Sequence, residues 1–293
     1  MTTEWENLAT CTLCGARDLR QIAGDHQLCR CQSCGHLFEN PRPTFESIAA
    51  HYSQEGSYDD REVNEQGLDA FFEQTLARIS HYRSSGRLLD VGAGVGQFLS
   101  IAQRQFEVQG TEISGEAVRK AGSRYGIALR HGRLEEAQFG EDRFDVITMV
   151  QVLEHVPWPG ETLRLCARLL APGGILYITV PNEPPYSLRR ILPMILGRAG
   201  VRRFVPFASG GLRRMDLDAM KEVHLSHFSE PVLRTALKNT GYSVAGSGVD
   251  FLDEFMFRRG PIQLVRHVLY GCSLAVYRLV GVNVYNSLWI MGR

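Results

Sequence analysis

Residues 88 to 98 read Leu-Leu-Asp-Val-Gly-Ala-Gly-Val-Gly-Gln-Phe, a hydrophobic run followed by three alternating glycines. This pattern predicts a buried strand that turns sharply into a helix, because glycine accepts positive φ angles and lets a ligand approach the backbone closely. The next acid at a predicted strand end is Glu112, about 20 residues on, where a carboxylate can accept both hydroxyls of a ribose. The spacing G-x-G-x-G lacks the pyrophosphate-binding fingerprint, so a ribose-bearing cofactor without phosphates is favoured.

Apolar runs alternate with helix-period segments from residue 86 onward, which predicts a parallel sheet with right-handed crossovers and ligands at its carboxyl edge. We expect helices at 96–105, 115–125, 160–170 and 230–239. The expected strands are 87–91, 107–112, 127–130, 144–150, 174–180 and 242–249, with a last strand at 286–293.

Four ordered segments between residues 86 and 182 resemble the class I S-adenosylmethionine-dependent methyltransferases. They are the glycine turn 90–96, Glu112, the strand and turn 144–156, and the helix end and strand 169–182. The resemblance implies an α/β fold, a Rossmann-like seven-stranded sheet with helices on both faces and an antiparallel last strand. It also implies S-adenosylmethionine as the cofactor.

The resemblance carries a set of cofactor-binding residues onto this chain. Tyr58, ahead of a predicted helix at 67–82, would reach over the methionine end of the cofactor, although an ordinary surface aromatic is the alternative. The other residues expected to bind the cofactor are Asp90, Gly92, Gly94, Gly96, Glu112, Ile113, Leu134 and Gln151.

Five of the seven cysteines lie within the first 34 residues, and four of them form two C-x-x-C pairs, Cys11 with Cys14 and Cys31 with Cys34. This is the spacing of a zinc ribbon, and four thiolates leave no open coordination position, so we expect a structural zinc ion. Cys29 and His36 are off the pattern and are interpreted as bystanders. We expect the downstream core to keep its own hydrophobic interior, independent of this module.

Three histidines are candidates for the catalytic base that an oxygen nucleophile would need. His155 directly follows the fourth strand, and it could instead orient the turn. His224 and His227 lie in Val-His-Leu-Ser-His-Phe, a segment similar to one found in methyltransferases of surface-polysaccharide and lipid pathways. A metal site at His224 and His227 is a further alternative, although no third ligand lies near them in the sequence.

Residues 184 to 215 contain seven arginines and neither an acid nor a lysine. Arg202 and Arg203 are the candidate ligands for a phosphate-bearing acceptor, such as a nucleotide sugar or lipid-linked sugar, or the segment could contact a membrane surface. The alternative is a lid whose arginines are solvated.

The chain is therefore divided into a zinc ribbon at 1–43, a helical linker and cofactor cover at 44–83, and a methyltransferase domain at 84–293. That domain would carry the arginine-rich lid at 184–221 and a helical insertion at 251–283. The net charge is zero, and residues 1–45 hold four arginines against five acids, so nucleic acid is not expected as a partner. The chain lacks a signal peptide and a long apolar run, which predicts a cytoplasmic protein.

The favoured function is methyl transfer to a small-molecule or glycan acceptor, at oxygen rather than at carbon or nitrogen. One alternative is a nucleic-acid or protein methyltransferase that the ribbon directs to its target. The other alternative is a binding protein that keeps the fold without catalysis.

Overall fold

The computed structural model describes residues 3–22, 27–52, 65–182, 223–250, 261–285 and 287–293. The α-helices in this part of the chain are α1 (Phe45–Tyr52), α2 (Glu65–Tyr82), α3 (Gln97–Ala102), α4 (Gly115–Lys120), α5 (Pro159–Leu169), α6 (Glu230–Asn239) and α7 (Pro261–Val280), and a π-helical turn, Ala121–Tyr125, directly follows α4. The amino-terminal strands are β1 (Trp5–Glu6), β2 (Leu19–Gln21), β3 (Leu28–Cys31), β4 (Leu37–Glu39) and β5 (Arg42–Pro43). The remaining strands are β6 (Gly86–Val91), β7 (Phe106–Glu112), β8 (Arg130–His131), β9 (Phe144–Val150), β10 (Leu170–Pro181), β11 (Ser226–His227), β12 (Val244–Val249) and β13 (Ser287–Gly292).

The central feature is a seven-stranded sheet in the order β12-β13-β10-β9-β6-β7-β8. Strands β10, β9, β6, β7 and β8 are parallel to one another, and β13 runs antiparallel between β10 and β12. The predicted Rossmann-like sheet with an antiparallel last strand is confirmed. Its parallel strands all end at one edge, and the glycine turn after β6 lies at this edge.

Two of the sequence-based boundaries are wrong. The strand expected at 127–130 is confined to Arg130 and His131, because Gly126 adopts φ 67° and the Ile127 N–H closes the preceding helical turn on the Ala121 carbonyl at 3.1 Å. Strand β10 begins at Leu170 and not near residue 174. A register shift between Leu170 and Ile175, next to Gly173 at φ 72°, accommodates the extra residues.

Apolar side chains pack on both faces of the sheet. On one face α2 and α3 cover the strands, with Ile79, Phe98 and Leu99 buried against Leu88. On the other face α5 and α6 pack through side chains such as Leu163 and Leu233. Each fully buried leucine or phenylalanine stabilises the fold by about 1.5–3 kcal/mol relative to an exposed one, so both layers contribute substantially.

The amino-terminal strands form a small antiparallel sheet, β2-β3-β4, that continues into the rest of the chain. Strand β11 pairs with β4, with Ser226 opposite Phe38 and His227 opposite Leu37. One hydrophobic cluster contains Cys11, Leu13 and Phe38 from this module together with side chains of α5, α6 and the large sheet. This cluster is therefore shared by the two parts. The cluster on the α2–α3 face of the large sheet contains no residue of the amino-terminal module, so the expected independent interior is present on that face only.

Helix α7 lies within the predicted helical insertion at 251–283, and several of its apolar side chains, including Leu279, are exposed. No helix in the described ranges has both the length and the apolar character that crossing a bilayer requires. The arginine-rich lid at 184–221 lies outside the described residues, so its role stays a prediction.

Candidate functional site

The glycine turn after β6 has the backbone conformation that its sequence predicts. Gly92, Gly94 and Gly96 adopt φ angles of 70°, 55° and 77°, a region that residues with a Cβ rarely occupy. A Cβ at Gly92 would also lie 2.6 Å from Val152 Cγ2, so a larger residue has no room there. The turn delivers the chain into α3 and leaves its backbone at the carboxyl edge of the sheet.

Glu112 ends β7 and holds the glycine turn from the neighbouring strand. Its Oε2 accepts the Gly94 N–H at 2.9 Å and its Oε1 accepts the Ser114 N–H at 2.8 Å. The side chain is only 5% exposed, and burial raises its pKa, while the amide hydrogen bonds act in the opposite direction. Each carboxylate oxygen has a second acceptor position, so the group can hold the turn and bind a pair of hydroxyls together.

Asp90 lies beside Glu112 at the end of β6 and is 3% exposed. Thr148 Oγ1 donates a hydrogen bond to its Oδ1 at 2.6 Å. Burial raises the pKa of Asp90 to about 7, and the nearby Glu112 carboxylate adds to the rise. Asp90 therefore titrates near neutral pH, so its charge is sensitive to a ligand that reaches this edge.

Gln151, which follows β9, has a φ of 55°, an uncommon conformation for a residue other than glycine. Its N–H donates to the Thr179 carbonyl at 3.0 Å and its Nε2 donates to Thr179 Oγ1 at 3.2 Å. Backbone conformations of this kind concentrate at ligand-binding sites.

The remaining residues expected to bind the cofactor lie in three different places. Ile113 lies next to Glu112, and its carbonyl contacts His131 Nε2 at 3.0 Å. Leu134 is buried in the core cluster on the α5 side. Tyr58 lies outside the described residues, as do Arg202 and Arg203, so their roles remain predictions.

The histidine candidates divide into two groups. His155 and His224 lie together, with ring centroids 4.9 Å apart and the rings nearly perpendicular. His155 Nδ1 contacts the Val223 carbonyl at 2.7 Å, and its Nε2 lies 3.7 Å from Oε1 of Glu154. His227 points the other way, and its Nε2 lies 2.9 Å from Oε1 of Glu39 in β4.

The turn that carries Glu154 and His155 follows β9 and lies against the glycine turn that follows β6. Val152 contacts Gly92, and the His155 N–H donates to the Val152 carbonyl at 2.9 Å. The pair His155 and His224 therefore lies next to the expected cofactor cleft, whereas His227 joins β11 to the amino-terminal module.

The four cysteines of the two C-x-x-C pairs converge, with all four sulfurs within 4.8 Å of one another. Cys11 Sγ lies 3.7 Å from Cys34 Sγ, and Cys14 Sγ lies 3.6 Å from Cys31 Sγ. Gly15 and Gly35 adopt φ angles of 79° and 76°, which allows each knuckle to turn tightly. A hydrogen bond from Cys34 lowers the pKa of Cys11. The cluster fits one tetrahedral zinc ion.

Cys29 and His36 are not members of this cluster. His36 is fully buried and stacks between Phe38 and Phe228, with ring centroids 5.5 and 5.1 Å away. Burial lowers the pKa of His36 to about 3. It is thus a core residue that joins the amino-terminal module to the segment before α6.

Glu154 and Arg42 are not among the residues that the sequence predicts for the site. Arg42 is almost fully buried, donates to the Pro157 carbonyl at 2.7 Å and stacks over Trp158. For Glu154, the available signal was an acid directly before a histidine at a strand end, but its proximity to His224 depends on a contact across 70 residues of chain.

Comparison with known proteins assigns the class. A family model described as a methyltransferase domain matches residues 64–245. The chain belongs to this methyltransferase family, and the order of its sheet and the glycine turn agree with that assignment.

The chain is similar to enzymes named ubiquinone biosynthesis O-methyltransferase. That of Aeromonas salmonicida is 34% identical over 127 residues, which are 41% of this chain and 52% of the relative. That of Sodalis glossinidius is 31% identical over 188 residues, which are 60% of this chain and 72% of the relative. The chain thus spans about half the length of the first of these relatives.

Solved structures share the fold. Magnesium protoporphyrin IX methyltransferase from Synechocystis, with bound S-adenosylhomocysteine (SAH), superposes with a TM-score of 0.52 at 14% identity, covering 85% of this chain and 99% of that one. The complex of DhpI with SAH gives 0.51 at 17% identity, covering 85% and 95%. At these identities the likeness concerns the fold alone.

Proposed function

We propose that this chain is an S-adenosylmethionine-dependent methyltransferase that acts on a hydroxyl group of a small molecule. The observation that carries the proposal is the pairing of the glycine turn with Glu112, whose carboxylate receives the Gly94 N–H at 2.9 Å. This pairing puts a buried carboxylate and a partly buried turn of backbone at one edge of the sheet, which is where doubly wound sheets bind ligands.

When bound, S-adenosylmethionine supplies a methyl group on a sulfonium, which is already a good leaving group. The chain mainly has to orient the reactants and exclude water. Glu112 would bind the ribose hydroxyls, and Gly92 and Gly94 would let the cofactor approach the backbone. Asp90, with its pKa near 7, would favour the positive charge of the cofactor in its ionised form.

The acceptor side of the site is proposed to lie at His155 and His224. Both are partly buried beside the turn that begins at Val152. An imidazole is the side chain best suited to accept the proton of an acceptor hydroxyl. His227 is a weaker candidate, since its side chain is already bound to Glu39.

The acceptor is proposed to carry its hydroxyl on an aromatic ring. The support is the name shared by the relatives, ubiquinone biosynthesis O-methyltransferase. A glycan or phosphate-bearing acceptor, expected from the arginine-rich segment, has no support among the comparisons and stays a prediction, as does a peripheral membrane contact.

The four-cysteine cluster is proposed to hold a structural zinc ion. The supporting observations are the convergence of the four sulfurs and the shared core around them. Zinc would then stabilise the strand pair β4–β11 and, through it, the segment that carries His224.

The test is a methyl-transfer assay with S-adenosylmethionine and two sets of acceptors, substituted phenols and nucleotide sugars. We expect SAH and an O-methylated phenol, identified by mass spectrometry. Glu112→Ala should lose turnover, whereas His81→Ala, at an exposed histidine of α2, should keep it. Methylation of nucleotide sugars alone, or of carbon or nitrogen, would contradict the proposal.

A further inference from the structure

We propose that Glu154, His155 and His224 form a second metal site, separate from the four cysteines, that binds one divalent transition-metal ion at the carboxyl end of β9. The role of this ion in catalysis rests on the proposed function, but its binding does not. Two imidazoles and one carboxylate are a ligand set that suits Zn²⁺, Mn²⁺ or Fe²⁺ and leaves open positions for another ligand.

The distances fit one shared ion. One ligand atom from each of the three residues lies within 4.8 Å of the others. His155 Nε2 and Glu154 Oε1 are 3.7 Å apart, too far for a hydrogen bond. Ligands bound at about 2.0–2.2 Å on neighbouring or opposite positions of one ion are separated by roughly 3–4 Å. Only small side-chain movements would close the site.

The hydrogen bond at the other ring nitrogen orients His155 for this role. Its Nδ1 lies 2.7 Å from the Val223 carbonyl, which can only accept a hydrogen bond, so Nδ1 carries the proton. The lone pair of Nε2 then faces the Glu154 carboxylate. Metal-binding histidines commonly donate their second N–H to a backbone carbonyl in this way.

The backbone holds the two ligand-bearing segments together. The Leu225 and Ser226 N–H groups both donate to the Glu154 carbonyl, at 2.8 and 3.0 Å. Ser226 also pairs with Phe38 of β4. His224 is therefore fixed against the turn 153–155 by main-chain bonds, which preorganises the three ligands.

The carboxylate of the proposed site is buried, whereas its two imidazoles are partly accessible. Glu154 is 1% exposed, so its charge acts in a medium of low dielectric constant, where its attraction for a cation is strong. His155 and His224 are only partly buried. The open positions of the ion would consequently be reached from the side of the two imidazoles, which is the less buried side.

An ion here would lower the pKa of an acceptor hydroxyl, as zinc lowers that of bound water to about 7. The hydroxyl proton would pass to solvent. The oxygen–methyl bond would then form as the sulfur–methyl bond breaks, with the electron pair remaining on sulfur. This would give the histidines a role as ligands and not as the base.

The test uses the full chain with its cysteine site loaded with zinc, and Mn²⁺ as the probe, followed by electron paramagnetic resonance. We expect one bound Mn²⁺ per chain, with affinity lowered about tenfold or more in Glu154→Gln and in His224→Gln. His81→Gln, at the exposed histidine of α2, should bind as the unmodified chain does. The unmodified chain and the three variants should have the same zinc content and the same circular dichroism spectrum. Equal values exclude a folding defect as the cause of weaker Mn²⁺ binding.

Absence of Mn²⁺ binding, or equal binding by the Glu154→Gln and His224→Gln variants, would overturn the site. Binding of S-adenosylmethionine is measured on the same samples. A chain that binds the cofactor and no Mn²⁺ would leave the proposed function standing without the ion. A chain that binds Mn²⁺ and no cofactor would support the site and contradict the proposed function.

Discussion

Asp90 and Glu112 lie at adjacent strand ends and are both almost fully buried, yet their hydrogen bonding differs. Glu112 receives two backbone N–H groups, which favour its ionised form. Asp90 receives the Thr148 hydroxyl, and burial raises its pKa to about 7. Of the two carboxylates at this edge of the sheet, Glu112 therefore accepts more hydrogen bonds that stabilise its negative charge.

Asp90→Asn tests the cost of this burial. The folded-state pKa of about 7 exceeds the unfolded value, so between about pH 4 and 7 the folded chain keeps a proton that the unfolded chain has lost. Stability from this group is thus present at low pH and is lost as the pH rises through 7, at about 1.4 kcal/mol per unit of pKa difference. We expect the free energy of unfolding of the unmodified chain, relative to Asp90→Asn, to fall between about pH 4 and 7 and to stay constant at higher pH.

Urea unfolding at four pH values measures this difference. Asparagine can still accept the Thr148 hydrogen bond through its amide oxygen, so the packing is matched. Parallel pH profiles for the two proteins would show that Asp90 is ionised throughout the range.

Among the secondary-structure elements, local sequence patterns were sufficient to predict the strands of the large sheet and the two C-x-x-C knuckles. Each is encoded by contiguous residues whose spacing matches a backbone geometry, as at 88–98. Strand β11 could not be predicted, because its two residues pair with β4 across 188 positions of chain. Hydrophobic periodicity shows which face of a helix or strand is buried but not which element covers it. The contact between His155 and His224 could therefore not be predicted either.

The start of α5 contacts the amino-terminal module through the backbone of both parts. The Gly160 N–H donates to the Thr12 carbonyl at 3.2 Å, and a Cβ at Gly160 would lie 2.1 Å from the Leu13 carbonyl oxygen. Because both partners are backbone, neither can move aside cheaply. We expect Gly160→Ala to destabilise the chain by about 1–3 kcal/mol through overpacking.

Gly122→Ala is the matched control, since its added Cβ would have no heavy atom within 4 Å. Alanine is the better residue in a helical turn, so this variant should be unchanged or slightly more stable. Chemical unfolding of both variants gives the comparison. Equal stability of the two would mean that the contact at Leu13 is absent in solution.

At the scale of the whole molecule, the shared core changes what zinc removal should do. Cys11 and Cys31 belong to the same hydrophobic cluster as Leu163 and Phe228. Loss of the ion would leave buried thiolates without a partner, and the damage would reach β11 and α6. We expect chelation to lower the thermal midpoint of the entire chain in one transition and to weaken cofactor binding as well.

Circular dichroism follows the thermal transition of the chelated and of the zinc-reloaded chain, and elemental analysis confirms the zinc content of each sample. A separate early transition of the amino-terminal module, with cofactor affinity unchanged, would show that the two parts are energetically independent.

The proposed function depends on binding of S-adenosylmethionine at the edge formed by the glycine turn and Glu112. Titration calorimetry of the unmodified chain and of Glu112→Ala tests it most directly. We expect one cofactor per chain, with binding weakened by about 1.5–3 kcal/mol in the variant through loss of hydrogen bonds to a charged group. Absence of binding to the unmodified chain, or equal affinity in the variant, would contradict it.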